Sequence, residues 1–466
     1  MRDHVQLSDS VISNGYCIGC GACAVIKGSP YEISFDAEGK YQAIKGDSEP
    51  ESPLIASMCP FSEVSHNEDT ISKRLFGNIE GIQHDQYLGY HLDTYAGSVA
   101  TGTYREIGTS GGLGTWLATK MLDEGLVDRV IHVRPVDNSD TLFRYEISST
   151  REEVSQGSKS RYYPVEMSRV LQQVIETPGR YLLVGVPCFI KAFHLLSEHV
   201  PILKERIVFA LGLVCGHLKT DRFAKVIGWQ MGIHPSQLES IDFRIKLPDA
   251  TASSYGVAIK GVGQAEDTIV PMKDILVRNW GHGLFRYEAC DYCDDVLAET
   301  ADITIGDAWL PEYVSDGKGT NIIVVRNPEI GDLIKRNASE LALDAISAER
   351  VYQSQAGGFR HRREGLSYRL FLKDKEQQWR PVKRVEPSDS LSKRRRRIYE
   401  GRIPLLKKAN EAFDNALVSN EFSTFEEEIQ PALDAYDRLY KRPFVIRAVL
   451  SILRRVKIFM KKILKR

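Results

Sequence analysis

From residue 112 onward, hydrophobic positions follow two alternating rhythms. "GLGTWLATKMLDEG" carries apolar residues at helical spacing and leads into the short apolar run "VDRVIHV"; "VEMSRVLQQVIE" leads into "RYLLVGV", and "FIKAFHLLSEH" into "RIVFALGLV". Helix-period segments that alternate with strand-length apolar runs predict an α/β domain with a largely parallel sheet, since a strand covered by helices on both faces reads as continuous apolar sequence. Later runs, "YGVAIKG", "ADITIGDA" and "NIIVVRN", predict further strands that can be mixed in direction. This domain is expected over residues 76–340. Residues 1–75 are short-segmented and turn-rich, with "YEISFDAEGKYQAI" predicting a hairpin that turns at "DAEG". Residues 341–400 are polar and basic, with "SKRRRR" at Ser392–Arg397, and read as a connecting region. Helical spacing returns over 401–466. The expected fold class is α+β joined to α/β: a small cysteine-bearing domain, a mixed-sheet α/β domain and a helical C-terminal extension.

Composition narrows the classes of partner. Hydrophobic residues are 42%, charged residues 26% and the formal net charge is −1, so no global field marks a nucleic-acid or membrane binder. Any such role is local. The start, "MRDHVQLSDSVISNG", has no apolar core behind a basic end, and no apolar run reaches the roughly 18 residues a membrane span needs. A cytoplasmic protein is expected, in which clustered cysteines serve as metal or cluster ligands rather than disulfides. The exception in charge is the terminus: eight Lys or Arg and no acid lie between Pro443 and Arg466. Val445, Val449, Ile452, Val456, Phe459 and Ile463 recur there at helical spacing. Such a helix can lie on the anionic inner face of a membrane, or pack against the protein itself.

The eight cysteines fall into two groups of four. "CIGCGAC" places Cys17, Cys20 and Cys23 at two-residue intervals, and Cys59 precedes a proline in "MCP". C-x2-C-x2-C crowds three thiolates around one corner, and a distant Cys-Pro is the ferredoxin form of the fourth ligand, so these residues predict a [4Fe–4S] cluster with zinc as the alternative. Cys188 and Cys215 end the strand runs "LLVGVPC" and "FALGLVC", at the carboxyl edge where open α/β sheets gather ligands. Cys290 and Cys293 form a C-x2-C pair in "EACDYCDD". Each single cysteine reads as a small buried hydrophobe by itself; together the four make a complete second set, for a cluster or a zinc ion.

Three polar turns complete the candidates. "TSGGLGTW", beginning at Thr109, Ser110, Gly111 and Gly112, enters a helix and leaves backbone N–H groups free for a phosphate, or serves as a plain cap. "GSKSRYY" offers Lys159 and Arg161 as anion partners, or is a solvated loop. Asp307, in "GDAW", follows the strand "ADITI" at another carboxyl end. Lys159, Tyr162 and His282 are candidate proton donors, though a surface or structural role is the stronger reading of each alone, and no catalytic acid is assigned.

At these residues the chain resembles a known family. "CIGCGAC…MCP", "TSGGLGTWLATKMLDEGLVDRVI", "QGSKSRYYP", "VGVPCFIKAF", "GLVCGH", "CDYCDDVLAETADITIGDAW" and "GKGTNIIVVR" occur in the order found in the coenzyme F-420 hydrogenase/dehydrogenase beta subunits, over about 17–330. That family includes chlorophyll-pathway reductases and bacterial proteins associated with polysaccharide biosynthesis. The resemblance implies an iron–sulfur flavoprotein with a ferredoxin-like first domain and a flavin-binding second one. It implies a first cluster on Cys17, Cys20, Cys23 and Cys59, FAD near Ser110-Gly111-Gly112 and Ser158-Lys159, and a second [4Fe–4S] cluster on Cys188, Cys215, Cys290 and Cys293. Electrons are then expected to pass from a ferredoxin-type donor or coenzyme F-420, through both clusters and FAD, to a small-molecule substrate. Two other classes stand beside it: an electron-transfer subunit of a larger complex, and a zinc-stabilised scaffold.

Overall fold

The computed structural model describes residues 6–47, 51–137 and 141–441. The basic helix expected over 443–466 lies outside the described residues. The chain divides into two compact units, one of residues up to 280 together with 285–389, the other of 281–284 with residues from 390 onward.

The first unit is organised on an eight-stranded mixed sheet. Its strands are β1 (Asp93–Val99), β2 (Arg129–Pro135), β3 (Phe143–Ser148), β4 (Tyr181–Gly185), β5 (Ile207–Leu213), β6 (Ile303–Asp307), β7 (Asn321–Val325) and β8 (Leu341–Ala345). Their order is β8-β1-β7-β6-β5-β4-β2-β3. The four central strands β2, β4, β5 and β6 run parallel, and every pairing outside them is antiparallel. The parallel centre follows from the alternating helices and strands of 113–213, because each crossover helix returns the chain to the same edge. "YGVAIKG" behaves differently. It forms the middle of a separate three-stranded antiparallel sheet with Leu238–Ile245 and Thr268–Pro271.

Neighbouring residues of the strands feed two different cores, as strand periodicity requires. Ile131 and Leu183 pack with helices Ser168–Glu176 and Pro187–Ser197 and with the cysteine-bearing N-terminal segment. Val130 and Leu182 pack with helices Leu113–Asp123 and Pro328–Arg336. The expected hairpin is present as Tyr31–Phe35 paired with Tyr41–Lys45. The polar stretch after 341 carries β8, helices Ala348–Ser354, Ala356–Arg362 and Glu364–Lys375, and then an extended run to 389. Trp379 of that run packs on Tyr16 with ring centroids 5.4 Å apart.

The second unit is built on helices Lys393–Ser419 and Phe422–Tyr440, joined through Asn420 in the left-handed region. Its core includes Leu405, Ala409, Phe413, Phe425, Ile429 and Leu433. His282 belongs to this unit, its Nε2 lying 2.7 Å from Asp437 Oδ1. Among the described residues no helix is long and apolar enough to cross a membrane.

Candidate functional site

The left-handed backbone of Gly19 and Gly21 lets the chain wrap tightly between Cys17 and Cys23. Cys17, Cys20, Cys23 and Cys59 line one small apolar cavity. The Cys17 sulfur accepts the backbone N–H groups of Gly19 and Ala43, each at 3.4 Å. Cys188, Cys215, Cys290 and Cys293 are likewise mutual neighbours, and Leu218 N–H donates to the Cys290 sulfur at 3.2 Å. Cys188 also feels the charge of Cys20, so the two sets meet. All eight are free thiols. Burial pushes the thiols of Cys59 and Cys290 up to about 12 and that of Cys215 up to about 11. The apolar surroundings therefore favour the neutral thiols. Among the described residues no three His, Cys, Asp or Glu side chains converge as a single-ion site would require.

A cavity of about 300 Å³ opens at the carboxyl ends of β4, β5 and β6. Thr109, Ser110, Gly112, Ser158, Lys159 and Asp307 all line it, and so does Cys215. Gly111 is not among its lining residues. A Cβ there would stand 2.7 Å from both Gly97 O and Asn321 Oδ1, so this glycine serves the approach of the turn to the sheet. Gly112 (φ +82) is the residue before helix Leu113–Asp123. Ser110 and Ser158 bond backbone carbonyls, those of Thr320 (3.0 Å) and Ile107 (3.1 Å), and Thr109 Oγ1 lies 3.2 Å from Ser160. Lys159 Nζ is 3.3 Å from Asp242.

Sequence reasoning missed part of the lining. Arg244 enters from the separate three-stranded sheet, pairs with Asp307 at 2.5 Å and lies over the rings of Tyr255 and Trp309. Nothing in "DFRIK" signals this, because the contact spans 63 residues. Trp280, packed edge-on to Tyr162 (4.7 Å) and His217 (4.6 Å), forms an aromatic wall. Arg161 lies over Phe143, and its buried Nε has no hydrogen-bond partner. A buried unpaired guanidinium nitrogen beside helix-entry N–H groups suits an anionic ligand.

Two family models match this framework. Both describe the "Coenzyme F420 hydrogenase/dehydrogenase, beta subunit": the model of its N-terminal part matches residues 94–172, and the model of its C-terminal part matches 179–349. Together they cover just over half of the chain. The chain belongs to this family. An uncharacterized protein of Methanocaldococcus jannaschii is 24% identical over 237 residues, 49% of this chain and 78% of that protein. One of the subunits of the F(420)H(2) dehydrogenase of Methanosarcina mazei is 24% identical over 224 residues, 48% of this chain and 56% of the relative's length. A chain of the F420-reducing [NiFe] hydrogenase complex from Methanosarcina barkeri is similar over 60% of this chain and 92% of its own, at 16% identity and a TM-score of 0.46. Relative to the family match, the turn at 109–112 and Lys159 fall in the first region, and Cys188, Cys215, Cys290, Cys293 and Asp307 in the second. Cys17, Cys20, Cys23 and Cys59 precede both regions, so the match starts later than the resemblance over 17–330 suggests.

Proposed function

We propose that the chain is an iron–sulfur flavoprotein oxidoreductase that gathers single electrons and delivers them in pairs to a small-molecule substrate. Residues 1–75 act as a ferredoxin-like domain whose Cys17, Cys20, Cys23 and Cys59 hold one [4Fe–4S] cluster. Cys188, Cys215, Cys290 and Cys293 hold a second, and the 300 Å³ cavity takes FAD. The clusters supply one-electron transfer and the flavin one- and two-electron chemistry. The fit rests on the donor sets: two groups of four free thiols, and a cavity with an orphaned buried Arg161 nitrogen. Arg161 and the turn at 109–112 bind anionic oxygens, Arg244 fixes the Asp307 carboxylate, and Tyr162 with Trp280 keeps water from one wall. The observation that carries this reading is continuity, since Cys20 neighbours Cys188 and Cys215 lines the cavity. Electrons come from a ferredoxin-type protein or reduced coenzyme F-420.

A second reading makes the chain the electron-transfer beta subunit of a larger complex. It is favoured by the Methanosarcina mazei relative, which is named as one part of a dehydrogenase. Anaerobic purification from the native host separates the two. A brown protein that bleaches with dithionite, carries FAD and reoxidises by itself with a small molecule supports the enzyme. A stable partner and no substrate turnover by the isolated chain support the second reading. A colourless protein containing zinc rejects both.

A further inference from the structure

Arg362 ends helix Ala356–Arg362, past residue 349 where the family match stops. Its side chain is buried, at 3% exposure, beside the thiols of Cys293, Cys215 and Cys290. Among the described residues no carboxylate pairs with it, and its enclosed Nε has no hydrogen-bond partner. Its neighbours differ. Arg363 and Arg384 pair with Glu299 at 3.4 and 2.8 Å, and Arg369 donates to Asp291 O at 2.7 Å. Lys383, near Cys293, has Asp294 at 4.0 Å, and Lys191, near Cys59, has Glu68 at 3.2 Å. A buried cation without a counter-charge is strongly unfavourable, so its presence against three of the four thiols points to negative charge at that position in the working protein.

Resting on the two-cluster reading above, we propose that Arg362 is a positioning residue that holds the second cluster's reduction potential above that of the first. Reduction adds one negative charge to a centre already bearing four thiolates, and a guanidinium in contact favours that state. The contacts to Cys17 are neutral backbone N–H groups, which favour it less. One electron then leaves the reduced first cluster and enters the oxidised second, beside the cavity. No bond breaks, and Arg362 keeps its protons. The segment that supplies this charge lies after residue 349, where the family match ends.

The test is an anaerobic redox titration of the full-length holoprotein, followed by EPR, with iron counted in each sample. Cys290→Ser identifies which midpoint belongs to the second set. Arg362→Gln is expected to lower that midpoint by at least the equivalent of a tenfold one-electron equilibrium, ~59 mV, and to leave the other in place with iron unchanged. Both midpoints unmoved at full iron content overturn the inference and leave the two-cluster reading standing. If Arg362→Gln sheds iron, Arg362→Lys decides. The ammonium keeps the charge, so full iron with the second midpoint still above the first is expected there; a second midpoint at or below the first, or iron lost again, overturns the proposal. Wild-type protein with about four irons and one midpoint removes the second cluster itself, and the inference with it.

Discussion

Cys20 and Cys188 come from different cysteine sets, 168 positions apart, yet Cys20 sits close enough to act on the Cys188 thiol. Tyr145, stacked on Phe189 and bonded through its hydroxyl to Val184 O at 3.1 Å, feels both thiols. The two sets therefore share one apolar core, in which the hairpin domain and the sheet contribute side by side. The two sets are separate in sequence, yet neither has its own surroundings.

Anaerobically prepared protein should contain about eight iron and eight acid-labile sulfide per chain. Cys290→Ser should bring iron to about four while preserving the first set, whose ligands are all within residues 17–59. Iron and sulfide assays on both proteins check this, and unchanged iron in the variant assigns Cys290 a packing role.

Arg244 and Asp307 form a largely buried pair at the cavity. Arg244→Met leaves the carboxylate without its partner and should destabilise the protein by about 3 kcal/mol, with flavin reduced. Adding Asp307→Asn should return part of the stability, because the charge that was left alone is gone, without restoring flavin. Denaturant melts and flavin absorbance follow the two effects separately; full additivity of the losses in stability argues against coupling.

The glycines of the turn divide by what surrounds them. Gly111→Ala drives a Cβ against Gly97 O and Asn321 Oδ1 and should cost about 1–3 kcal/mol of stability. Gly114 lines the cavity and has open space where a Cβ would stand. Gly114→Leu should therefore keep the melting temperature and lower flavin occupancy. A fully flavinated Gly114→Leu protein would place the cofactor elsewhere.

His132 and His194 set an acid limit. Burial holds each at about 4, against an ordinary 6.5; His132 Nε2 lies 2.8 Å from Ser148 Oγ, and His194 Nε2 donates to Thr300 O at 2.8 Å. Between those values the unfolded chain binds protons that the folded chain refuses. Their contribution is complete above about 6.5 and is lost as pH falls toward 4, at no more than about 2.7 kcal/mol per pH unit for the pair. Urea midpoints from pH 7 to 4.5 should fall accordingly. His194→Gln should make the slope shallower, and an unaltered slope excludes His194 as a source.

The first three cysteines and the strand ends were legible because both are local. Spacing alone groups Cys17, Cys20 and Cys23, and the run before Cys188 or Cys215 marks a strand whatever it pairs with. The parallel centre of the sheet followed from the alternation of periods. What stayed hidden depends on contacts that composition does not carry. Lys383 and Arg384 sit in a stretch whose polarity suggests solvent, yet their side chains are only 4% and 7% exposed, neutralised by Asp294, Glu299 and Glu68. Arg362 and Arg244 were invisible for the same reason. A charged residue looks alike in sequence whether water or a buried partner surrounds it.

The second cysteine set is stitched from two strand ends and a turn, spread over 188–293, whereas the first lies within 17–59. The chain of 356–369 closes on that turn last, with Arg369 anchored to Asp291 O. On the two-cluster proposal, loading would follow the chain: the first set is complete once residue 59 has been made, whereas the second needs the sheet and the turn at 290–293. Iron and sulfide supplied to the refolded apoprotein should accordingly fill the first set quickly and the second slowly, and equal filling rates would mean that the helices open freely.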